Sequence, residues 1–339
     1  MQKAAGHWED LEVKAVEYVV PPQDGGITLG KFLYDRLRLS RTLVRRVKTA
    51  GGLYVNGQPA RTSQRLQGGE VVELRLPAEG RVAPEPVPIT VIYEDRYLLV
   101  VDKPPGQVVH PVRDYVSGTL ANGVAYHLQQ QGEDAVVRPV QRLDRDTSGL
   151  VLFAKDPAVA SLLARELEQH KLDRHYIAYV AGALHPDRGT VSVPIRRVWG
   201  HPVAREVAVG PRTPEQEALL KEAEARGQVL REDWKAEGQP AVTHWEVLRR
   251  WPSATKVRLR LETGRTHQIR VHMAHLGHPL LGDRLYGDGR MAPRQALHAA
   301  SLVFVHPVTG ERLAFTSPLP PDLVALEQAL DATPASGES

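Results

Sequence analysis

Hydrophobic residues recur at helical spacing in two places near the start of the chain. They occupy positions 29, 32, 33 and 37 after Thr28, and positions 43, 44 and 47 after Ser40, and both polar residues are of a type that caps helices. Apolar runs at 53–55 and 71–76 then favour strands, and the Asn56-Gly57 pair is typical of a tight hairpin turn. The pattern predicts a small domain of two helices followed by a β-hairpin.

Strand patterns dominate the chain from residue 89 onward. Residues 91–101 predict two strands joined at Glu94-Asp95, and residues 256–262 alternate apolar and charged side chains as a half-buried strand does. Residues 150–154 are continuously apolar, which predicts a strand buried on both faces. Helical spacing follows Asp156-Pro157, where the aspartate caps the helix and the proline stands in its first turn.

Proline marks a boundary between the two parts of the chain. Residues 77–88 contain four prolines and little apolar material, which predicts a semi-rigid linker. We therefore divide the chain into an N-terminal extension (1–26), a small domain (27–76), the linker (77–88), a large domain (89–325) and a C-terminal tail (326–339). We expect the last residues, from Ala332 on, to be disordered.

The composition narrows the classes of chemistry. With 339 residues and 42% hydrophobic content, the chain can bury a sizeable core. It has no cysteine, which excludes disulfides, thiol catalysis and zinc sites built on thiolates. The segment from Met1 to Asp10 carries charge without an apolar core, and no run of about 18 apolar residues occurs. We therefore expect a cytoplasmic protein that does not contact a membrane.

Positive charge is concentrated in the small domain, although the net charge of the chain is only +3. Between Lys31 and Arg65 there are nine lysines or arginines and one acidic residue, Asp35. Such an imbalance is typical of a phosphate-binding surface. The alternative is a basic helix face that is merely solvated.

Charged residues immediately precede the apolar run at 150–154. Asp144 and Asp146 lie two residues apart, with Arg142 and Arg145 beside them. A cation within reach of a partly buried carboxylate favours its ionised form, and an ionised, sheltered carboxylate can act as a nucleophile. The alternative is an Arg/Asp-rich turn whose side chains only cap backbone groups.

Four histidines lie on or near a helix predicted from Thr266 onward. Two of them could share a helical face, but no acidic residue nearby completes a ligand set, so we expect no metal. We expect this helix to bury Ile269, Met273 and Leu276 and to expose His267, Arg270, His272 and His275.

Three motifs occur in order in the large domain, at residues 142–149, 174–176 and 264–272, where the sequence is RLDRDTSG, RHY and GRTHQIRVH. They resemble the three motifs of the RluA-type pseudouridine synthase family, and supporting matches extend the resemblance over residues 89–323. Residues 27–76 resemble the alpha-L RNA-binding domain. The two domains together are similar to the RluC/RluD-like subgroup, which modifies large-subunit ribosomal RNA.

The resemblance implies a fold and a reaction. The fold is α+β, with a large mixed, mostly antiparallel sheet whose central cleft carries Asp144, plus a small N-terminal α/β RNA-binding domain. The family isomerises uridine in RNA: the glycosidic N–C bond is cut, the uracil rotates, and it is rejoined through carbon. The family needs no cofactor or metal. We expect RNA as the partner, with large-subunit ribosomal RNA favoured, and a monomeric enzyme.

The resemblance also implies roles for single residues. Asp144 matches the nucleophile, which attacks either ribose or uracil, and Arg265 matches the partner that holds it charged. Tyr176 would stack on the flipped uracil and could move a proton, and Arg142 would fill the gap that the extruded uridine leaves. The small domain's nominated phosphate contacts are Arg38, Arg41, Arg45, Arg46 and Lys48. We leave Arg270 and His267 as structural or phosphate-facing residues.

Two departures from the family pattern affect the interpretation. Gln141 stands where the family commonly has histidine, and the insertion at residues 196–240 includes a charged segment, 215–237, that predicts a surface helix or an inserted segment. Three other hypotheses remain open: a non-catalytic RNA-binding protein, a glycosidase that would need Asp144 and Asp146 in one cleft, and a synthase that acts on transfer RNA.

Overall fold

A computed structural model divides the chain into two compact units, Met1–Arg81 and Val82–Ser339. It describes residues 14–332 except 38, 40, 50, 77–81, 113–114, 134–136, 199–200, 202 and most of 210–237. Within the described part, no helix has both the length and the apolar character needed to cross a membrane.

The small unit packs two helical segments against a four-stranded sheet. Its elements are β1 (Lys14–Val19), α1 (Leu29–Lys31, continued by a π-helical turn, Phe32–Arg36), α2 (Arg41–Thr49), β2 (Leu53–Val55), β3 (Gln58–Pro59) and β4 (Val71–Leu76), and the strand order is β1-β4-β2-β3. The Thr28 hydroxyl accepts a hydrogen bond from the backbone N–H of Lys31, so it caps α1 as predicted. Asn56 and Gly57 form the hairpin turn with positive φ angles of 49° and 73°, which confirms the predicted turn.

The start of the chain corrects the predicted domain boundary. Strand β1 pairs antiparallel with β4 over its whole length, from Lys14 opposite Leu76 to Val19 opposite Val71. Residues from 14 onward therefore belong to the small unit, and the prediction of an extension over 1–26 is wrong for that part. The sequence did not reveal β1 because its partner strand, β4, lies more than fifty residues further along the chain.

The large unit is built on one extended sheet. Its elements are β5 (Thr90–Glu94), β6 (Leu98–Lys103), α3 (Leu120–Gln130), β7 (Arg138–Pro139), β8 (Ser148–Ala154), α4 (Pro157–Glu168), β9 (Asp173–Ala181), β10 (Arg188–Ser192), β11 (Ile195–Arg197), β12 (Arg205–Val207), β13 (Val242–Arg250), β14 (Ala254–Leu261), α5 (Gln268–His275), β15 (Leu297–Val305), β16 (Arg312–Thr316) and α6 (Pro321–Ala332). Among the described residues the main path is β10-β13-β14-β9-β15-β8-β6-β5, with β16 on β15 and β7 on β8. The β8–β15 pair is parallel and the others along this path are antiparallel, which confirms the predicted fold class.

Helices cover both faces of this sheet, which explains the continuous apolar run in β8. Val151 and Phe153 pack in the same core cluster as Leu120 and Val124 of α3. The alternate residues of β8, such as Leu152, pack with α4 on the other face. Every residue of β8 is buried, as the sequence predicted.

Two further boundaries differ from the prediction. The Asn122 side chain donates to the Ala83 carbonyl across 2.8 Å, and the backbone N–H of Glu85 donates to the Asn122 carbonyl, so residues 82–88 are part of the large unit rather than linker. The predicted tail from 326 lies within α6, where Leu326 and Leu330 are buried. Residues 77–81 and 333–339 lie outside the described part.

Candidate active site

The loop between β7 and β8 presents Asp144. The backbone N–H of Thr147 donates to the Asp144 carbonyl across 3.1 Å and closes a turn. The next two carbonyls accept from buried cations: Lys103 Nζ donates to Arg145 across 2.8 Å, and Arg294 Nη1 donates to Asp146 across 2.9 Å. The loop backbone is thus fixed on both sides of the turn.

Lys103 is nearly inaccessible to solvent. Within the described part of the chain, its ammonium donates hydrogen bonds only to backbone carbonyls. Its ammonium donates to Pro104, Gln107 and Arg145 at 2.8–2.9 Å, which ties the loop after β6 to the loop that carries Asp144. Burial lowers the pKa of Lys103 to about 7, and the charge of Asp146 opposes this shift. Three carbonyl acceptors match the three protons of the ammonium form.

The Asp144 carboxylate is paired with Arg270. Arg270 Nη1 lies 3.2 Å from Asp144 Oδ2, and the Asp144 side chain keeps 24% of its surface exposed. Arg270 comes from α5, and its other nitrogens make a two-point contact with buried Asp283 at 2.7 and 2.9 Å. Burial works against the charge of Arg270, but the bonds to Asp283 and the charge of Asp144 raise its pKa. Asp283 therefore aims a permanent cation at Asp144.

This pairing corrects two expectations from the sequence. Arg265 Nε donates to the Pro240 carbonyl across 3.0 Å, whereas Arg270 is the described guanidinium in ion-pair distance of Asp144. Arg270 and His272 are also buried rather than exposed, since Arg270 meets the two carboxylates and His272 bonds to Thr243 and the Val193 carbonyl. Ile269, Val271 and Met273 occupy alternate positions of α5, so apolar side chains project from more than one side of the helix. This pattern indicates that the first part of the helix is buried on more than one side, as it is from Gln268 to Met273.

His267 forms a second neighbour of Asp144. Its Nε2 lies 3.9 Å from Asp144 Oδ2, and its Nδ1 lies 2.8 Å from the Tyr286 hydroxyl. That hydroxyl also accepts the backbone N–H of Arg205, which fixes its place beside the imidazole. Burial lowers the pKa of His267, with the charge of Asp144 opposing the shift. At neutral pH the imidazole is therefore uncharged.

Tyr176 lies in β9, between Leu259 of β14 and Ala299 of β15. Its side chain is buried, and burial raises its pKa; the charge of Arg174 opposes the shift and that of Asp144 adds to it. The phenol therefore stays protonated at neutral pH. On the other side of β15, Gly149 allows β8 to approach closely, because with φ at +109° a Cβ there would lie 2.3 Å from the Ala299 carbonyl oxygen.

Arg142 is exposed and lies two residues before Asp144. Its charge, together with burial as the larger cause, lowers the pKa of His110, so the Arg142 guanidinium lies near the loop that carries this histidine. In the small unit, Arg45 and Lys48 are exposed on α2, while Val44 and Val47 on the same helix are buried. Arg38, and the side chains of Arg41 and Arg46, lie outside the described residues.

Comparison with known proteins decides the family. Residues 97–275, which contain all three motifs, match the model of the RNA pseudouridylate synthase family. The chain belongs to the RNA pseudouridylate synthase family. It is 36% identical to an uncharacterised RNA pseudouridine synthase of Bacillus subtilis (strain 168), over 91% of this chain and 95% of that protein. This synthase is therefore an isomerase.

Further relatives agree with this assignment. The synthase is 38% identical to ribosomal large subunit pseudouridine synthase D of Pasteurella multocida (strain Pm70), over 88% of each chain. A solved human structure, RNA pseudouridylate synthase domain containing 1, has a TM-score of 0.52 at 27% identity and covers 74% of this chain and 97% of its own. The comparison by sequence and the comparison by structure therefore indicate the same family.

Proposed function

We propose that this pseudouridine synthase converts uridine to pseudouridine in large-subunit ribosomal RNA, with Asp144 as the nucleophile. The observation that carries the assignment is the Asp144–Arg270 ion pair: a partly exposed carboxylate is held beside a buried arginine that Asp283 orients. A carboxylate whose charge is compensated by an arginine in this way can stay ionised beside an apolar cleft and remain accessible to the substrate. Asp146 instead pairs with the exposed side chain of Arg145 and offers no second carboxylate of this kind.

The target uridine reaches Asp144 only outside the base stack. Extruding it costs a few kcal/mol, which contacts to the vacated space offset. Arg142 is exposed next to the catalytic loop, so its guanidinium can enter that space. Arg265 has a structural role in this site, because its backbone N–H donates to the Gln268 side chain and holds the loop that leads into α5.

The reaction itself rearranges atoms of one nucleotide. Asp144 attacks the flipped uridine, the bond between C1′ and N1 breaks, and the uracil turns. A bond then forms between C1′ and C5, the bond that Asp144 had formed breaks and frees its carboxylate, the proton on C5 leaves, and N1 regains a proton, so nothing is added or lost. The ring of Tyr176 stacks on the uracil while it turns, and its protonated phenol keeps negative charge away from Asp144.

The choice of ribosomal RNA is supported by the curated relatives and by the small unit. Several relatives that match over most of their length are named ribosomal large subunit pseudouridine synthase D. The exposed Arg45 and Lys48 on α2 suit phosphate contacts, which position an RNA without reading its sequence. We expect the enzyme to be a monomer in the cytoplasm, and to engage RNA rather than membrane.

The substrate is tested by mapping pseudouridine in ribosomal and transfer RNA from cells that lack the protein. The cells are complemented with the wild type or with Asp144→Asn. The proposal predicts that a pseudouridine in large-subunit RNA is absent from these cells and returns only with the wild type. A site that returns in transfer RNA alone would contradict the substrate, and a site restored by Asp144→Asn would contradict the nucleophile.

A further inference from the structure

Arg294 occupies a buried position behind the catalytic loop. Its Nε and Nη2 contact the carboxylate of Asp322 at 2.7 and 3.1 Å. Nη1 donates to the carbonyls of Asp146, Gln295 and Leu297 at 2.9–3.2 Å. Only 9% of the residue is exposed, so these bonds form in a site that water hardly enters.

The contacts of Arg294 join three separate segments. Asp146 follows the nucleophile by two residues, Leu297 begins β15, and Asp322 stands in the first turn of α6. A carboxylate is favoured at the N-terminal end of a helix, and there it meets the guanidinium at two points. Helix α6 therefore holds a cation whose other bonds fix the loop that carries Asp144.

The same guanidinium also orders the start of β8. Arg294 Nη2 donates to the Ser148 hydroxyl across 3.2 Å, and that hydroxyl lies 3.0 Å from His298 Nδ1. His298 Nε2 donates to the Ser317 carbonyl, and burial lowers the pKa of His298, so its Nδ1 accepts the Ser148 proton. Each group in this series donates to the next, from Arg294 through Ser148 and His298 to the Ser317 carbonyl, which directly follows β16.

Resting on the proposed function of Asp144, we infer that Arg294 is a positioning residue that couples helix α6 to the catalytic loop and sets the direction of the Asp144 carboxylate. Lys103 donates a hydrogen bond to the carbonyl of Arg145, and Arg294 donates one to the carbonyl of Asp146. With both carbonyls held, the turn that follows Asp144 cannot rotate. Without the hydrogen bond from Arg294, the Asp144 carboxylate can move away from its productive position. A misplacement of about 1 Å can lower the rate roughly 100-fold.

The test is steady-state kinetics on an RNA transcript that the wild type modifies, with the folded fraction of each variant measured by circular dichroism and thermal unfolding. Arg294→Met should lower kcat per folded enzyme by roughly 10- to 100-fold and leave KM within a factor of about two, because the side chain does not face the RNA. Arg294→Lys, which keeps the charge near Asp322, should recover part of kcat. Asp322→Asn should lower kcat as well, and combining it with Arg294→Met should add little.

A matched control lies on the same helix. Glu327 of α6 pairs with Lys256 of β14 across 2.7 Å, at a burial similar to that of the Arg294–Asp322 pair, but this pair does not touch the catalytic loop. Glu327→Gln should leave kcat near the wild-type value. Equal losses in Glu327→Gln and Asp322→Asn, or a wild-type kcat in Arg294→Met, would overturn the inference.

Failure of the inference is separable from failure of the proposed function. Asp144→Asn is measured in the same assay. If Asp144→Asn is inactive while Arg294→Met keeps the wild-type kcat, only the positioning role is wrong. If Asp144→Asn stays active, the assignment of the nucleophile is wrong, and the positioning role that rests on it falls too.

Discussion

Arg270 donates a hydrogen bond to Asp144 across 3.2 Å while the rest of its guanidinium is held by Asp283. One arginine thus serves two carboxylates, of which Asp283 is inaccessible to solvent and Asp144 is partly exposed. Burial alone would raise the pKa of Asp283, but the hydrogen bond and charge of Arg270 hold it below its usual range. Asp283 is therefore a fixed anchor for Arg270, and Asp144 is the partly exposed partner that we propose as the nucleophile.

Removing the anchor should disturb catalysis without removing the nucleophile. Asp283→Asn loses a charged hydrogen bond worth about 1.5–3 kcal/mol, so we expect kcat to fall by roughly 10- to 100-fold. KM should change little, because Asp283 does not reach the surface. Asp187→Asn, which breaks an exposed ion pair with Arg250, is the control and should behave like the wild type. Wild-type turnover in Asp283→Asn would show that Arg270 needs no anchor.

The aromatic ring of Tyr176 should matter more than its hydroxyl. Because burial raises the pKa of Tyr176, the phenol does not supply a phenolate at neutral pH. Tyr176→Phe should therefore keep a larger share of kcat than Tyr176→Leu, since stacking on a base contributes about 1–3 kcal/mol. Single-turnover rates of both variants on one transcript measure the difference. Equal rates for the two variants would argue against stacking.

Charge reversal on α2 should weaken RNA binding. Arg45→Glu combined with Lys48→Glu removes two exposed cations, so the plot of log affinity against log salt should become shallower, its slope falling by about one for each phosphate that is no longer neutralised. Filter binding at several salt concentrations measures that slope. Arg312→Glu reverses one exposed cation on β16 of the large unit and provides a control for charge reversal away from α2. A slope equal to that of the control would place α2 away from phosphate.

Acid should destabilise the fold through buried histidines. His272 and His298 are almost fully buried, and burial lowers the pKa of each below its usual value of 6.5. Below pH 6.5 the unfolded chain binds protons that the folded chain does not, so the free energy of unfolding falls by up to about 1.4 kcal/mol per pH unit for each such histidine. Urea unfolding at pH 7.5 and 5.5 measures this fall. His272→Gln should show a smaller fall than the wild type, and an unchanged fall would contradict the assignment.

The sequence predicted the elements whose patterns are local. The apolar run at 150–154, the Asn56-Gly57 turn and the Asp156 cap all depend on neighbouring residues, and the structure contains each; the Asp156 carboxylate, for example, accepts the backbone N–H of Val159. Such features follow from backbone preference and burial within a few residues.

Contacts between residues that lie far apart in the chain could not be predicted from the sequence. Arg270 lies 126 residues from Asp144, and nothing in the local pattern distinguishes it from Arg265, which is nearer the start of α5. A buried arginine becomes recognisable only when the fold supplies its carboxylates, here Asp144 and Asp283. Strand β1 escaped prediction for the same reason, since its partner, β4, is more than fifty residues away.

The role of Asp144 is tested most sharply by pseudouridine formation in Asp144→Asn and Asp146→Asn on the same large-subunit RNA transcript. The two variants make the same change to neighbouring carboxylates, but only Asp144 pairs with buried Arg270. We expect Asp144→Asn to form no product while still binding the RNA, and Asp146→Asn to keep most of the wild-type rate. Product formation by Asp144→Asn at the wild-type rate would show that Asp144 is not the nucleophile.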